Sequence, residues 1–263
     1  MGGDNGDPRL PRTDFPLTAF LAFDTSTEAL SLGVGWHDAL GAWQQCLHEG
    51  EGGRASSAAL VPGVMALLRE AGLELCQLQA IAFGRGPGSF TGLRTACAVA
   101  QGLAWGADLP VLPLDTLLAV AEDAREREGA CCVVAVLDAR MGEVYAGAWT
   151  HDGQQWREHS PAVLCQPQQV VVPTGFMLAG NAFAPHGERL PPAAARIEAR
   201  PTAAALLRLA PGLFAAGAAV APSQALPLYI RDKVAQTTLE RAAVLAARVG
   251  SESASRLGAA GEP

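Results

Sequence analysis

The chain has 263 residues, 49% of them hydrophobic and 17% charged, with a formal charge of −7. That length is enough for two ordinary domains, each able to bury a core without disulfides or metals. No apolar run approaches the ~20 residues that cross a bilayer, and no block of Lys and Arg stands ready to neutralise phosphates. A helical membrane protein and an autonomous nucleic-acid binder are both excluded.

Residues 1–17 are rich in Gly, Asp and Pro. They lack the basic and apolar regions of a signal peptide and are expected to form a disordered tail. Thr18 to Asp24 reads as a short apolar strand ending in an acidic residue, and the polar turn Thr25-Ser26-Thr27-Glu28 leads into a second strand from Ala29 to Trp36. Gly41 to Leu47 can add a third strand, with loop from Glu49 to Arg54. Ser56 to Ala71 places Leu60, Val64, Leu67, Leu68 and Ala71 at helical spacing, and Gly72 suits the stop. A buried strand from Ala80 to Phe83 enters a glycine-rich segment, Phe90 to Trp105 reads as a second helix, Val111 to Leu112 as a short strand, and Asp115 to Glu128 as a third helix.

The second half starts again. Cys131 to Leu137 is a strand-like run ending in Asp138, followed by a turn and the strand Glu143 to Trp149. Asp24 and Asp138 are 114 residues apart (138 − 24), about one domain, which suggests a duplicated α/β unit. Phe176 to Leu178 is a further strand, Gly180 and Asn181 a turn, and Thr202 to Ala216 an Ala/Leu-rich helix. The expected division is a first domain over 18–113, a second over 114–225, a segment over 226–241 returning to the first, and a flexible tail over 242–263.

Several groups of residues have side chains suited to chemistry. At the first hairpin tip, Thr25 and Ser26 can offer hydroxyls and N–H groups to a phosphate, while Asp24 can hold a magnesium-bound water. The same residues can equally close a turn on themselves. Gly84-Arg85-Gly86-Pro87-Gly88-Ser89-Phe90-Thr91-Gly92-Leu93-Arg94 joins strand to helix. Ser89 or Thr91 can cap that helix, and its free N–H groups with Arg94 would welcome an anion. Close packing of strand, helix and neighbouring elements explains the glycines equally well. No Gly-Lys-Ser/Thr ends the segment, so it is not a Walker loop.

The helices over 56–71 and 90–105 are apolar over a wider arc than one core contact needs, the second being lined by Gly92, Ala96, Ala98, Ala100, Gly102 and Ala104. Leu60, Val64, Met65, Leu68, Ala98 and Ala100 are therefore candidates for a partner interface, with burial inside the chain as the other explanation. Asp138, Arg140 and Glu143 bring mixed charges to the second hairpin tip. The five histidines are isolated in sequence and are expected at the surface. The six cysteines form no Cys-x-x-Cys pair and read as small apolar side chains in a reducing cytoplasm.

Leu21-Ala22-Phe23-Asp24-Thr25-Ser26-Thr27-Glu28, the Gly84 to Arg94 loop, Leu137 to Tyr145 and Leu228-Tyr229-Ile230-Arg231 together resemble the TsaB (YeaZ) family. The resemblance covers about Phe20 to Lys233. It implies a duplicated actin-like, ribonuclease H-like fold of two domains, with mixed sheets flanked by helices. It also implies a cytoplasmic, non-catalytic subunit that binds and activates the transferase TsaD as it places threonylcarbamoyl on tRNA adenosine, with TsaE in the same complex. On this reading tRNA is met only through the complex, a homodimer can form when TsaD is absent, no cofactor is required, and weak ATP or ADP affinity survives near Ser89 to Arg94.

The paralogue TsaD carries a His-x-x-x-His metal pair, whereas the corresponding run here, Leu114-Asp115-Thr116-Leu117-Leu118-Ala119-Val120, has no histidine. An actin-like small-molecule kinase or ATPase is the rival class, although the Gly-Gly turn that would hold adenosine is reduced to Leu178-Ala179-Gly180-Asn181. A metallopeptidase would lack its ligands.

Overall fold

A computed structural model describes residues 18–53 and 56–231. The tails expected at 1–17 and 242–263, and residues 232–241 of the expected returning segment, lie outside them. The first half comprises β1 (Ala19–Asp24), β2 (Ala29–His37), β3 (Trp43–Glu51), α1 (Ser56–Ala71), β4 (Ala80–Gly86), α2 (Phe90–Ala107) and β5 (Val111–Asp115). Then α3 (Thr116–Glu128) crosses to β6 (Cys132–Asp138), β7 (Val144–His151), β8 (Trp156–Cys165), β9 (Met177–Gly180), the one-turn α4 (Phe183–His186) and β10 (Arg196–Glu198), and α5 (Ala203–Ala215) follows.

The strands form two sheets of five, in the orders β3-β2-β1-β4-β5 and β8-β7-β6-β9-β10. In each, the first three strands in sequence form an antiparallel meander and the last two run parallel to the first. Equal order and equal direction make this a duplicated α/β fold. Side chains repeat too. The His37 ring meets Trp43 edge-on at 5.0 Å and 70°, and His151, 114 residues later (151 − 37), meets Trp156 at 5.0 Å and 70°. Asp38 and Asp152 each accept backbone N–H bonds that close the adjoining hairpin turn.

Alternation along the central strands sorts the layers. Ala19, Leu21 and Phe23 of β1 pack with α1 and α2 through Leu60, Val64, Ala96 and Ala100. Phe20 and Ala22 face Leu206 and Leu207 of α5 and Ala119 of α3. In the second sheet, Val133, Ala135 and Leu137 pack with Leu117 and Val120 of α3. Val134 and Val136 are covered instead by Val170, Phe176 and Leu190, from irregular stretches on either side of β9.

Besides the short α4 and β10, which the sequence reading did not foresee, three elements depart from it. Sequence order assigned α5 to the second half, yet it packs on β1, β2 and β4 of the first sheet. Its small and branched residues Ala203, Ala205, Leu206, Leu207 and Ala210 are buried there, and the Ala203 N–H donates to Ser31 Oγ at 2.7 Å. β3 runs on to Glu51, because it pairs with β2 as far as Ala29. β8 was not foreseen. Its largely exposed face and internal Pro161 weaken the strand signal, and Pro is tolerated because β8 is an edge.

A buried carboxylate fastens the halves together. Glu122 of α3 accepts hydrogen bonds from Arg125 (2.9 Å), from Trp156 of β8 (2.9 Å) and from Arg208 of α5 (2.8 Å). Burial by itself would raise this carboxyl, but the hydrogen bonds from Arg125, Trp156 and Arg208 outweigh it and hold the group below its ordinary range.

Candidate functional site

The first hairpin tip folds onto the start of α2. Asp24 ends β1 almost wholly buried, and its Oδ1 accepts from both the N–H (2.8 Å) and the hydroxyl (2.6 Å) of Ser26. Thr25 Oγ1 donates to the Gly92 carbonyl at 2.7 Å, and the Ser89 N–H donates to the Ser26 carbonyl at 2.7 Å. A side chain at Gly92 would overlap the Thr25 carbonyl, and one at Gly84 would overlap Asp24 Oδ2. These glycines serve close packing. The Thr25 and Ser26 hydroxyls, for which a phosphate and a turn closed on itself were both open readings, donate within the protein.

Asp24 Oδ2 has no hydrogen-bond partner among the described residues. Burial pushes the Asp24 carboxyl up to about 6 against the opposing pull of the Ser26 hydrogen bonds. At the end of β5, Asp115 caps α3 by accepting from Leu117 N–H at 2.9 Å; burial raises its carboxyl despite that bond and the nearby Arg85 charge.

Ser89 is the residue that caps α2, accepting from Gly92 N–H at 3.5 Å, and Ser89, Thr91 and Arg94 all lie at the surface. The Arg94 guanidinium stacks 3.9 Å from the Phe90 ring centroid and donates to Tyr229 Oη at 3.1 Å. Residues 225–230 thus form a strap on the first half, where Gln101 donates to the Ala225 carbonyl and Leu228 N–H to the Arg85 carbonyl.

The second tip is more polar than expected. The carboxylate of Asp138 receives the Arg140 N–H at 2.9 Å and the Arg140 guanidinium at 3.2 Å, and His186 Nε2 lies 3.1 Å away. His186 is 7% exposed, which corrects the expectation that every histidine sits at the surface. It lies 48 residues from Asp138, a distance that gave sequence reading no cue. Arg140 also pairs with Glu28 of the first tip.

The candidate interface residues divide. Leu60, Val64, Leu68 and Ala100 are buried in the first core and are removed as surface candidates, because each lies on the arc of its helix that faces the first sheet. Met65, 46% exposed, and Ala98 face outward, as do Val61, Gly102 and Trp105, the last 74% exposed. Among the described residues no three His, Cys, Asp or Glu side chains form a group suited to a metal, and no helix is long and apolar enough to cross a membrane.

Comparison with known proteins assigns this geometry. The family model described as "TsaD: tRNA N6-adenosine threonylcarbamoyltransferase" matches residues 42–199. The Escherichia coli K12 protein named "tRNA threonylcarbamoyladenosine biosynthesis protein TsaB" is 34% identical over 230 residues, spanning 82% of this chain and 95% of that one. The chain belongs to the TsaB family. A Haemophilus influenzae TsaB is 41% identical over 166 residues, covering 57% of this TsaB-family chain and 65% of that protein. The solved structure titled "YeaZ from Pseudomonas aeruginosa" superposes with a TM-score of 0.73 at 38% identity, over 81% of this chain and 99% of that one. The duplicated sheets are thus the actin-like fold that the TsaB resemblance implied.

Proposed function

We propose that the chain acts in tRNA threonylcarbamoyladenosine biosynthesis as a non-catalytic subunit that binds and activates a TsaD-type transferase, with a TsaE-type ATPase in the same cytoplasmic complex. Family membership supports the pathway. The observation that carries the subunit role is the outward face of α1 and α2, where Val61, Met65, Ala98 and Trp105 are exposed on two adjacent helices. An exposed tryptophan beside small residues is the composition of an interface anchor rather than of a solvated helix. In the absence of the transferase the same face can pair with a second copy, and tRNA is met through the complex alone.

The buried first hairpin argues against the rival reading of a small-molecule kinase or ATPase, since Asp24, Thr25 and Ser26 are closed off by the start of α2. Weak ATP or ADP affinity at the exposed Ser89, Thr91 and Arg94 belongs to the proposal, and no heat on titrating ADP into the chain would remove that part of it. The deciding experiment mixes the purified chain with the TsaD of the same organism. The two should co-elute, and Met65→Glu and Ala98→Glu should weaken the calorimetric affinity at least about tenfold by burying an unpaired charge, with unchanged circular dichroism. Threonylcarbamoyl transfer or robust ATP turnover by the chain alone would overturn the reading.

A further inference from the structure

The two hairpin tips, one from each half, are joined by a side chain on a strained turn. Arg140 (φ 63°) and Met141 (φ 57°) are both left-handed, followed by Gly142 at φ 79°. Non-glycine residues hold this conformation only where their surroundings impose it, and such strain collects at switches and ligand clamps. Here it is imposed by the Arg140 N–H on Asp138 Oδ1, by the Ala139 N–H on the Glu143 carbonyl at 3.0 Å, and by Arg189, which donates to the Gly142 carbonyl at 3.3 Å. The turn so held directs the Arg140 guanidinium in two directions at once, to Asp138 in its own hairpin and to Glu28 in the other.

We propose that Glu28 and Arg140 form a releasable latch between the two halves of the molecule. Both ends are fixed. Asp138 is held by the buried His186 at 3.1 Å, and the Glu28 carbonyl accepts the Gly52 N–H at 2.7 Å at the end of β3. The moving part is the guanidinium, which keeps Asp138 as its resting partner when Glu28 lets go, so opening leaves no unpaired arginine. The two latch side chains are 69% and 66% exposed, hence screened and weakly coupled, and a contact of that strength can be opened by a competing charge. With the latch closed, the tip that covers Asp24 and Thr25 is held against the second half. With it open, α3 and α5 still join the halves through Glu122 and its partners Trp156 and Arg208.

The test is hydrogen exchange on the full chain, followed by mass spectrometry of the two tips, residues 25–29 and 139–143. Arg140→Asn removes the guanidinium but keeps a side chain that tolerates the left-handed turn, and Glu28→Gln removes the other charge. Each should speed exchange in the opposite tip about two- to fivefold, the range of an exposed ion pair. The double variant should exchange no faster than either single one, and salt at about 1 M should speed the parent chain but not Arg140→Asn. Exchange that changes only in the tip carrying the substitution, or effects of the two substitutions that multiply, would overturn the latch.

Discussion

Asp24 and Asp138 occupy the same place in the two sheets, at the carboxyl ends of β1 and β6, yet Asp138 gathers Arg140 and His186 while one Asp24 oxygen has no partner among the described residues. The repeated position has become a charged junction in one half and a closed, desolvated turn in the other.

The pH dependence of Asp24 follows from that burial. Its carboxyl rises from an ordinary 3.8 to about 6 in the folded chain. The folded state therefore holds this proton more tightly, and the group's contribution to stability is complete below pH 3.8 and lost as pH rises through 6. The loss amounts to about 3 kcal/mol above that point. Asp24→Asn keeps an acceptor for Ser26 and carries no charge. Its melting temperature should exceed that of the parent chain at pH 7.5, with the advantage shrinking towards pH 4. Lower stability of the variant at pH 7.5 would contradict a net cost of burying this charge.

Two helical glycines of α2 should respond in opposite ways to the same methyl group. At Gly92 a Cβ would overlap the Thr25 carbonyl, a backbone atom with no room to yield. Gly92→Ala should cost about 3 kcal/mol or more in urea unfolding. At Gly102 a Cβ meets nothing within 4 Å, so Gly102→Ala should stabilise by about 0.5 to 1 kcal/mol. Equal effects at the two positions would refute the packing described for the first hairpin.

Glu122 should dominate acid sensitivity at the junction of α3, α5 and β8. Because its folded carboxyl is held below the ordinary 4.5, the stability it contributes is present above pH 4.5 and is lost as pH falls through the folded value. Glu122→Gln should cost about 3 kcal/mol at pH 7 by breaking a buried ion pair. The difference should narrow in acid, as read from urea midpoints at pH 7 and pH 4. A constant difference would show that the charge is not what matters.

Burial separates the substitutions on α1 and α2. Leu68→Glu and Ala100→Glu place a charge in the first core and should abolish cooperative melting, whereas Met65→Glu and Ala98→Glu should melt within about 1 kcal/mol of the parent chain. Thermal melts followed by circular dichroism distinguish the two sets before any binding is measured.

Much of the first half was legible because period and punctuation agree there. α1 was bounded residue for residue by its apolar spacing and Gly72, and Asp115 and Thr202 cap the helices expected to begin beside them. The repeat was legible only in outline, through Asp24 and Asp138, although His37 and His151 with their adjacent aspartates carry the same offset. What sequence could not give was pairing across distance. His186 with Asp138, Arg208 with Glu122 and Arg140 with Glu28 are joined by topology rather than by local pattern. The direction in which Leu60, Val64, Leu68 and Ala100 point required knowing how the first sheet runs beneath the two helices.

The outer face of the second sheet is clothed by irregular chain around β9, whereas the outer face of the first carries α1 and α2. Among the described residues the sheet is repeated but the two-helix layer is not. The pairing proposed for that layer would be satisfied by a single neighbour. Were both halves clothed alike, each molecule could accept a neighbour on either side, and head-to-tail contacts of that kind extend into open filaments. Among its described residues this chain repeats the sheet and lacks a second copy of the two-helix layer through which a file of molecules could grow.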